Sequence, residues 1–219
     1  MVSSSEDFER VRAATPGVYQ RRAARFAAER DSSLKYEREA LERFTAALPP
    51  GGRVLDLGCG TGTPVSAYLL DHGFAVTGLD AAPAMLAIAR EELPEGRWVL
   101  GDIRDLDGVA ALAGETFDGV LSWHGSFHLT RDEQRAALPA ICARVRQGGA
   151  LMLTAGPEDG EVTGTVGGET VYHAILAPDE YDRILHGQGF AEVSMFEAAG
   201  GATVLLATGR SGGAGAEPA

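Results

Sequence analysis

Three glycines at alternate positions follow a short apolar run that contains one acid. The run is residues 54–57 with Asp56 as its acid, and the glycines are Gly58, Gly60 and Gly62. Glycine lets the backbone turn sharply and approach a ligand where a Cβ would clash. A buried strand, a glycine-rich turn and a following helix predict a nucleotide-type pocket at the carboxyl end of a parallel strand. The spacing departs from the dinucleotide pattern G-x-G-x-x-G, because Thr63 occupies the place of its last glycine.

A second carboxylate stands at the end of the next apolar run. Residues 74–79 are typical of a strand, and Asp80 follows 24 positions after Asp56. That interval is close to the roughly 20 residues after which nucleotide-binding folds place a carboxylate on ribose hydroxyls. Because a carboxylate accepts both hydrogen bonds of a vicinal diol, Asp80 is the candidate ribose ligand.

These segments resemble the class I S-adenosylmethionine (SAM) methyltransferases, whose motif I has the G-x-G-x-G form after an acid-containing strand. Further segments occur in the family's order along the chain. Residues 98–103 are similar to the segment that holds adenine, 117–123 to the fourth strand, and 147–153 to the turn into the fifth. The resemblance covers about residues 53–208. It implies a doubly wound α/β fold with a seven-stranded, mostly parallel sheet, helices on both faces and an antiparallel last strand.

The resemblance also implies which residues contact the cofactor. It places the ribose on Asp80 and the adenine ring on Asp102 and Ile103. The complete set of expected cofactor contacts is Asp56, Gly58, Gly60, Gly62, Asp80, Ala81, Met85, Asp102, Ile103 and Ser122. Arg25 is a candidate partner for the SAM carboxylate, with a surface ion pair as the alternative interpretation.

Three histidines are candidate general bases. His124 and His128 follow the fourth predicted strand, where the topology brings side chains beside the transferred methyl group, and His173 lies beyond the fifth strand. Imidazole titrates near neutrality, which suits it to take a proton from an acceptor hydroxyl. Two alternatives stay open: His128 only hydrogen-bonds within the pocket, or no base is used. The candidate acceptor-binding residues are Trp123, His128, Tyr172, Tyr19 and Tyr36.

Composition and charge narrow the class of acceptor. The formal net charge of −12 disfavours nucleic acid and anionic membrane surfaces as partners. Residues 122–125 lack the carboxylates that metal-dependent relatives place after the fourth strand, so we expect no metal. The chain shows neither a signal peptide nor a run of about 20 apolar residues. We therefore expect a cytoplasmic protein with a small-molecule acceptor, of unknown oligomeric state.

Apolar strands alternate with helical segments along most of the 219 residues. Residues 6–48 are predicted to be helical with a break at Pro16-Gly17, and a hairpin is predicted around Gly167-Gly168. The chain then divides into an N-terminal helical cover (1–50), a SAM-binding core (51–209) and a disordered tail (210–219). Strands are expected near 53–57, 74–79, 97–100, 117–122, 149–155, 190–196 and 202–208, and helices near 62–72, 83–92, 131–146 and 179–186.

The sequence therefore predicts a SAM-dependent methyltransferase acting on a small molecule. A hydroxyl oxygen is the preferred acceptor atom, because histidines beside the methyl group suit a group that must lose a proton. Methylation of nitrogen or carbon is the alternative. A non-methylating SAM-binding protein and a nicotinamide-dependent oxidoreductase on the same kind of sheet also remain open, because fold does not determine function.

Overall fold

The protein is described by a computed structural model that covers residues 5–30 and 32–211. Six α-helices and nine strands occur in that part of the chain. The helices are α1 (Ser5–Glu29), α2 (Arg38–Ala46), α3 (Val65–Asp71), α4 (Pro83–Glu92), α5 (Arg131–Ala143) and α6 (Pro178–Gly187). The strands are β1 (Arg53–Leu57), β2 (Ala75–Asp80), β3 (Arg97–Leu100), β4 (Phe117–Ser122), β5 (Val145–Ala155), β6 (Gly160–Val166), β7 (Glu169–Ile175), β8 (Glu192–Glu197) and β9 (Thr203–Thr208).

Seven strands form one sheet in the order β3-β2-β1-β4-β5-β9-β8. The first five pair in parallel, and β9 runs antiparallel to both β5 and β8. The predicted fold class is therefore confirmed. The strand order reverses at β1 and β4, which is where open parallel sheets bind their ligands.

The sheet is buried on both faces. Successive side chains of a strand point to opposite faces, so Leu55 of β1 packs with α5 and α6 while Val54 packs with α2 and α3. The core on the face that carries α2 and α3 contains Leu41 and Phe44 of α2, both fully buried. α2 is thus part of the packed core, and of the two N-terminal helices it is α1 that borders the cavity described below.

The first helix corrects one prediction. A break was expected at Pro16-Gly17, but α1 runs continuously through both residues from Ser5 to Glu29. Proline removes one helical hydrogen bond, yet buried residues on either side, Val11 and Val18, hold the helix against the rest of the fold. Tertiary packing outweighs the local signal here.

Two element boundaries also differ from the prediction. α3 begins at Val65 rather than near 62, because Gly62 has φ +81° and the first helical turn is closed by the Tyr68 N–H to the Pro64 carbonyl. β5 begins at Val145, where a helix was expected, because Val145 already pairs with Phe117 before the register slips. Both differences arise from backbone conformation or strand pairing rather than from apolar periodicity.

The predicted hairpin is confirmed as β6 and β7, which pair apart from the main sheet. Gly167 and Gly168 have φ +55° and +83°, the positive values that a tight two-residue hairpin turn requires. The predicted tail, 210–219, lies outside the described residues except for its first two positions. No helix in the described ranges is long and apolar enough to cross a membrane.

The hydroxyl of Thr15 joins α1 to β7. It donates to the Val11 carbonyl at 2.9 Å and accepts from the Tyr172 N–H at 3.0 Å. Thr15→Val leaves that buried N–H without a partner, so we expect the free energy of unfolding to fall by about 1–3 kcal/mol. Thr45→Val is the matched control, because Thr45 donates to the Leu41 carbonyl at 2.8 Å without joining two elements. Equal losses in urea denaturation of the two variants would contradict the proposed anchor.

Candidate active site

A cavity of about 690 Å³ lies at the carboxyl ends of β1, β2 and β4. The sheet and its loops form the floor, while α1 and the β6–β7 turn form the opposite wall. The wall residues of α1 recur at helical spacing, so a single face of the helix is turned toward the cavity. They are Arg12, Thr15, Pro16, Tyr19, Phe26 and Glu29, and Arg30, directly after the helix, continues the same face.

The glycine turn after β1 is held against β2 by backbone hydrogen bonds. The N–H groups of Gly58 and Cys59 both donate to the Leu79 carbonyl, at 2.8 and 3.0 Å. Gly58 has φ +75°, and a Cβ there would lie 2.9 Å from the Cα of Gly125 in the loop after β4. Only glycine fits both constraints, which explains the residue type at this position.

Asp80 organises the same turn from the end of β2. One carboxylate oxygen accepts the Gly60 N–H and the other accepts the Ala82 N–H, both at 2.8 Å. Burial raises the pKa of Asp80, and these backbone hydrogen bonds oppose that rise. Asp80, Ala81 and Met85 line the cavity, as do Gly58 and Gly60.

Asp56 is the more deeply buried acid, with 2% of its surface exposed, and it also lines the cavity. One carboxylate oxygen accepts the Ser66 hydroxyl at 2.7 Å. Burial raises the pKa of Asp56 to about 7; the Ser66 hydrogen bond lowers it, and the nearby charge of Asp80 raises it. Asp56 is therefore held in a place that disfavours its charged form.

Asp102 and Ile103, which follow β3, both line the cavity. The Asp102 carboxylate accepts the Arg104 N–H at 2.9 Å and pairs with the Arg104 guanidinium. Burial acts to raise the pKa of Asp102, but the hydrogen bonds from Arg104 outweigh it and the pKa is lowered. Glu133 of α5 lies between Arg104 and Arg12 at 3.6 and 3.4 Å.

The environment of His128 determines its tautomer. Nδ1 lies 2.8 Å from the Tyr172 carbonyl, which can only accept, so Nδ1 carries the proton. Nε2 then accepts the Tyr19 hydroxyl at 2.8 Å. Burial lowers the pKa of His128 to about 4, although the Tyr172 hydrogen bond opposes this. Both ring nitrogens are thus occupied within the protein.

His124 and His173 also line the cavity, and neither ring makes a hydrogen bond with the described residues. His124 has φ +59°, which is uncommon for a residue with a side chain. Burial lowers its pKa to about 4, helped by the positive charge of Arg30. Burial also lowers the pKa of His173. The expectation of a histidine titrating near neutrality therefore needs correction, because desolvation keeps these imidazoles neutral.

Aromatic rings pack around the histidines that follow β4 and lie on β7. The Phe127 and His173 ring centroids are 4.4 Å apart, and those of His128 and His173 are 4.9 Å apart. Tyr19 packs on His128 at 5.2 Å. Trp123, 5% exposed, lines the cavity. We call the part of the lining formed by the glycine turn with Asp56, Asp80 and Asp102 the polar half. The part formed by Trp123, His124, Phe127, His128 and His173 is the aromatic half.

Two predicted cofactor contacts do not line the cavity. Gly62 faces Trp98, whose ring a Cβ at position 62 would approach to 2.9 Å. The Ser122 hydroxyl donates to the Leu57 carbonyl at 2.8 Å and accepts the Ser126 N–H at 2.9 Å. Both residues shape the loops around the cavity rather than its wall.

Two predicted acceptor contacts also lie away from the wall. Tyr172 is buried, and its hydroxyl donates to Glu161 at 2.9 Å. Tyr36 is 42% exposed and packs near Gly200. Of the three predicted acceptor-binding tyrosines, Tyr19 is the one that reaches the cavity.

A cation that the sequence interpretation missed lines the cavity instead of Arg25. Arg25 pairs with Glu29 at 2.6 Å and both side chains are more than half exposed. Arg30 lies on the wall and pairs at 3.0 Å with Glu37, which is 4% exposed. The periodicity of the α1 face, with Tyr19, Phe26 and Arg30 in register, is the signal that could have identified it.

The polar half fits a nucleoside cofactor, because it combines a glycine cradle with carboxylates at the ends of β1 and β2 and beyond β3. In the described part of the chain, no group of three or more His, Cys, Asp or Glu residues is placed to hold a metal ion. The fold and the site together define a Rossmann-like protein with a nucleoside-cofactor pocket.

Comparison with known proteins identifies the family. Residues 54–149 match the family model of a methyltransferase domain. Glycine N-methyltransferase from Rattus norvegicus is 37% identical over 115 residues, which cover 46% of this chain and 39% of that enzyme. Malonyl-[acyl-carrier protein] O-methyltransferase from Serratia marcescens is 32% identical over 161 residues, covering 70% of this chain and 60% of that enzyme.

A solved structure extends the likeness over most of the chain. The SAM-bound amino pentose methyltransferase from Micromonospora echinaspora matches with a TM-score of 0.62 and 26% identity, covering 87% of this chain and 91% of that one. Residues 54–149 form a methyltransferase domain, and the chain has the fold of the class I SAM-dependent methyltransferases. It spans about two fifths of the length of the glycine N-methyltransferases that it matches.

The raised pKa of Asp56 predicts a pH-dependent stability. A folded-state pKa of about 7 exceeds the value near 3.9 of an unfolded aspartate. Ionised Asp56 therefore destabilises the fold, with no cost below about pH 4 and the full cost above about pH 7. Asp56→Asn should raise the free energy of unfolding by about 1–3 kcal/mol at pH 8 and by much less at pH 5. A gain of equal size at both pH values in urea denaturation would rule out this assignment.

Proposed function

We propose that the protein transfers a methyl group from SAM to a nitrogen atom of a small-molecule amine. The observation that carries the proposal is that carboxylates at the glycine turn and aromatic rings with neutral imidazoles line one and the same cavity. The polar half suits the adenosyl and methionine parts of SAM. The aromatic half suits an acceptor that brings its own nucleophilic lone pair.

The residues of the polar half can each be given a part of the cofactor. The remaining lone pairs of the Asp80 carboxylate can accept the ribose hydroxyls, and Asp102 can accept the adenine amino group. Asp56 lines the cavity beside them, and the Arg30 guanidinium can pair with the carboxylate of the methionine part. The glycine turn leaves room for the cofactor to lie against the backbone.

The basicity of the histidines favours nitrogen over oxygen. SAM carries its methyl group on a sulfonium. When the acceptor attacks the methyl group, the thioether S-adenosylhomocysteine leaves, so no nucleophilic side chain is needed. A hydroxyl must lose its proton to become a good nucleophile, and imidazoles with a pKa of about 4 are weak bases for that step. A neutral amine attacks with its own lone pair, so the protein needs only to align it and exclude water.

Tyr19 and His128 can orient that amine. The Tyr19 hydroxyl donates its hydrogen bond to His128 Nε2. The lone pairs of the Tyr19 oxygen are then free to accept an amine N–H. Because His128 Nδ1 is anchored on the Tyr172 carbonyl, the pair has a single orientation. The apolar rings of Phe26 and Phe127 border the same space and disfavour a charged ammonium.

Methylation of a hydroxyl is the second candidate. The matched O-methyltransferase from Serratia marcescens aligns over 70% of this chain. The proton would then go to His124 or His173, whose ring nitrogens make no hydrogen bond with the described residues. The nicotinamide-dependent alternative is not proposed, because the relatives described above are methyltransferases. The net charge of −12 supports a small molecule rather than nucleic acid as acceptor.

Cofactor binding can be tested at the end of β2. Asp80→Ala removes two charge-assisted hydrogen bonds to the ribose, each worth about 1.5–3 kcal/mol, so SAM affinity should fall at least tenfold in calorimetry. Asp105→Ala is the matched control, because Asp105 is an exposed acid that does not line the cavity. Unchanged affinity in the Asp80 variant would remove the ribose assignment.

The acceptor atom can be tested by pH dependence. With methyl-labelled SAM and a panel of primary amines, each beside its matching alcohol, methylation should appear on amines. The value of kcat/KM should rise with pH to a plateau whose midpoint follows the pKa of the amine, since His124 and His128 stay neutral between pH 6 and 9. His173→Gln should leave that midpoint unchanged. Label on the alcohols, with a midpoint that disappears in His124→Gln or His173→Gln, would establish the second candidate instead.

A further inference from the structure

Two carboxylates in the polar half of the cavity are not paired with a positively charged side chain. Asp56 and Asp80 both line the cavity, and neither forms an ion pair with a side chain in residues 5–30 or 32–211. Their hydrogen bonds come from the Ser66 hydroxyl and from backbone N–H groups, which carry no formal charge. Buried charge of one sign is costly until an opposite charge compensates it.

We propose that Asp56, supported by Asp80, selects the positively charged sulfonium cofactor over its neutral thioether product. Asp56 is thereby a specificity-determining residue that promotes exchange of spent cofactor for fresh cofactor. The inference rests on the proposed binding of SAM in this cavity.

The two cofactor forms differ in charge as well as by a methyl group. SAM carries an ammonium, a carboxylate and a sulfonium, so its net charge is +1. S-adenosylhomocysteine has lost the sulfonium charge and is neutral overall. Adenine, ribose and the amino acid group are common to both, so contacts with those parts cannot discriminate between them. A buried carboxylate without a compensating cation can discriminate between SAM and S-adenosylhomocysteine, because the attraction between unit charges stays strong where water is excluded.

Asp56 is better suited to this role than the two other acids of the polar half, Asp80 and Asp102. The charge of Asp102 is already compensated by the guanidinium of Arg104. Asp80 uses both oxygens on the glycine turn and the start of α4. Asp56 uses one oxygen on Ser66, and its other oxygen has no hydrogen-bond partner in the described part of the chain.

Other ionisable groups near the site leave this negative charge in place. Cys59 in the glycine turn has its pKa raised by burial and is a neutral thiol. Tyr19 and His124 on the facing walls are neutral as well, because burial raises the pKa of the phenol and lowers that of the imidazole. Two cations lie on the facing wall: Arg30, directly after α1, pairs with Glu37, and Arg12 pairs with Glu133.

The selectivity should depend on pH. Asp56 attracts the sulfonium only when it is ionised, and its pKa is raised to about 7. The ratio of the S-adenosylhomocysteine Kd to the SAM Kd should therefore be low at pH 6 and rise by about tenfold toward pH 8.5. Asp56→Asn keeps the side-chain shape and removes the charge, so its ratio should stay low at every pH.

Titration calorimetry of the full chain with both ligands between pH 6 and 8.5 measures this ratio without turnover. Asp102→Asn is the matched control: it should weaken both ligands equally, because adenine is common to them, and keep the wild-type ratio. Ser66→Ala removes the hydrogen bond that lowers the pKa of Asp56. It should move the rise in the ratio to higher pH while preserving the plateau.

The outcomes separate the two proposals. A ratio that rises in the wild-type protein and in Asp102→Asn but stays flat in Asp56→Asn supports the inference. A ratio at pH 8.5 that is the same in Asp56→Asn and the wild-type protein overturns it, while the proposed function stands. Failure of both ligands to bind the wild-type protein overturns both proposals.

Discussion

The site depends on direct backbone contact between two loops. The glycine turn after β1 meets the loop after β4 where a Cβ on Gly58 would lie 2.9 Å from the Gly125 Cα. A Cβ on Gly125 would in turn lie 2.5 Å from the Leu57 carbonyl. This close approach brings the polar half of the cavity, whose residues lie near the ends of β1, β2 and β3, against the residues of the aromatic half that follow β4. These two glycines therefore allow the closest approach between the two loops that border the cavity.

Local patterns in the sequence were sufficient for the parts of the fold that depend on few residues. The β1 strand, the glycine turn and Asp80 were predicted correctly as structure, since strand periodicity and glycine conformation are properties of neighbouring residues. Features set by distant contacts were not. α1 continues through Pro16 because buried residues on both sides hold it, and β5 starts early because Val145 pairs with Phe117.

The same distinction applies to the site. The predicted histidines do meet at the cavity, because strand ends converge at one edge of a parallel sheet. Their basicity could not be predicted, since the pKa of His124 depends on how completely the surrounding chain removes water. Ser122 had the right position along the strand, but its hydroxyl is directed to the Leu57 carbonyl. Arg30 was missed because α1 was not expected to present one uninterrupted face.

The continuous face of α1 has a consequence for how ligands reach the cavity. Arg12 and Arg30 stand at opposite ends of one helical stripe that borders both halves of the cavity, and Thr15 ties the middle of that helix to β7. Because Thr15 holds the middle of the helix on β7, a displacement of α1 at that point would move the wall residues on both sides of it together. A ligand that displaces this helix from one part of the cavity would therefore alter the wall of the rest of it.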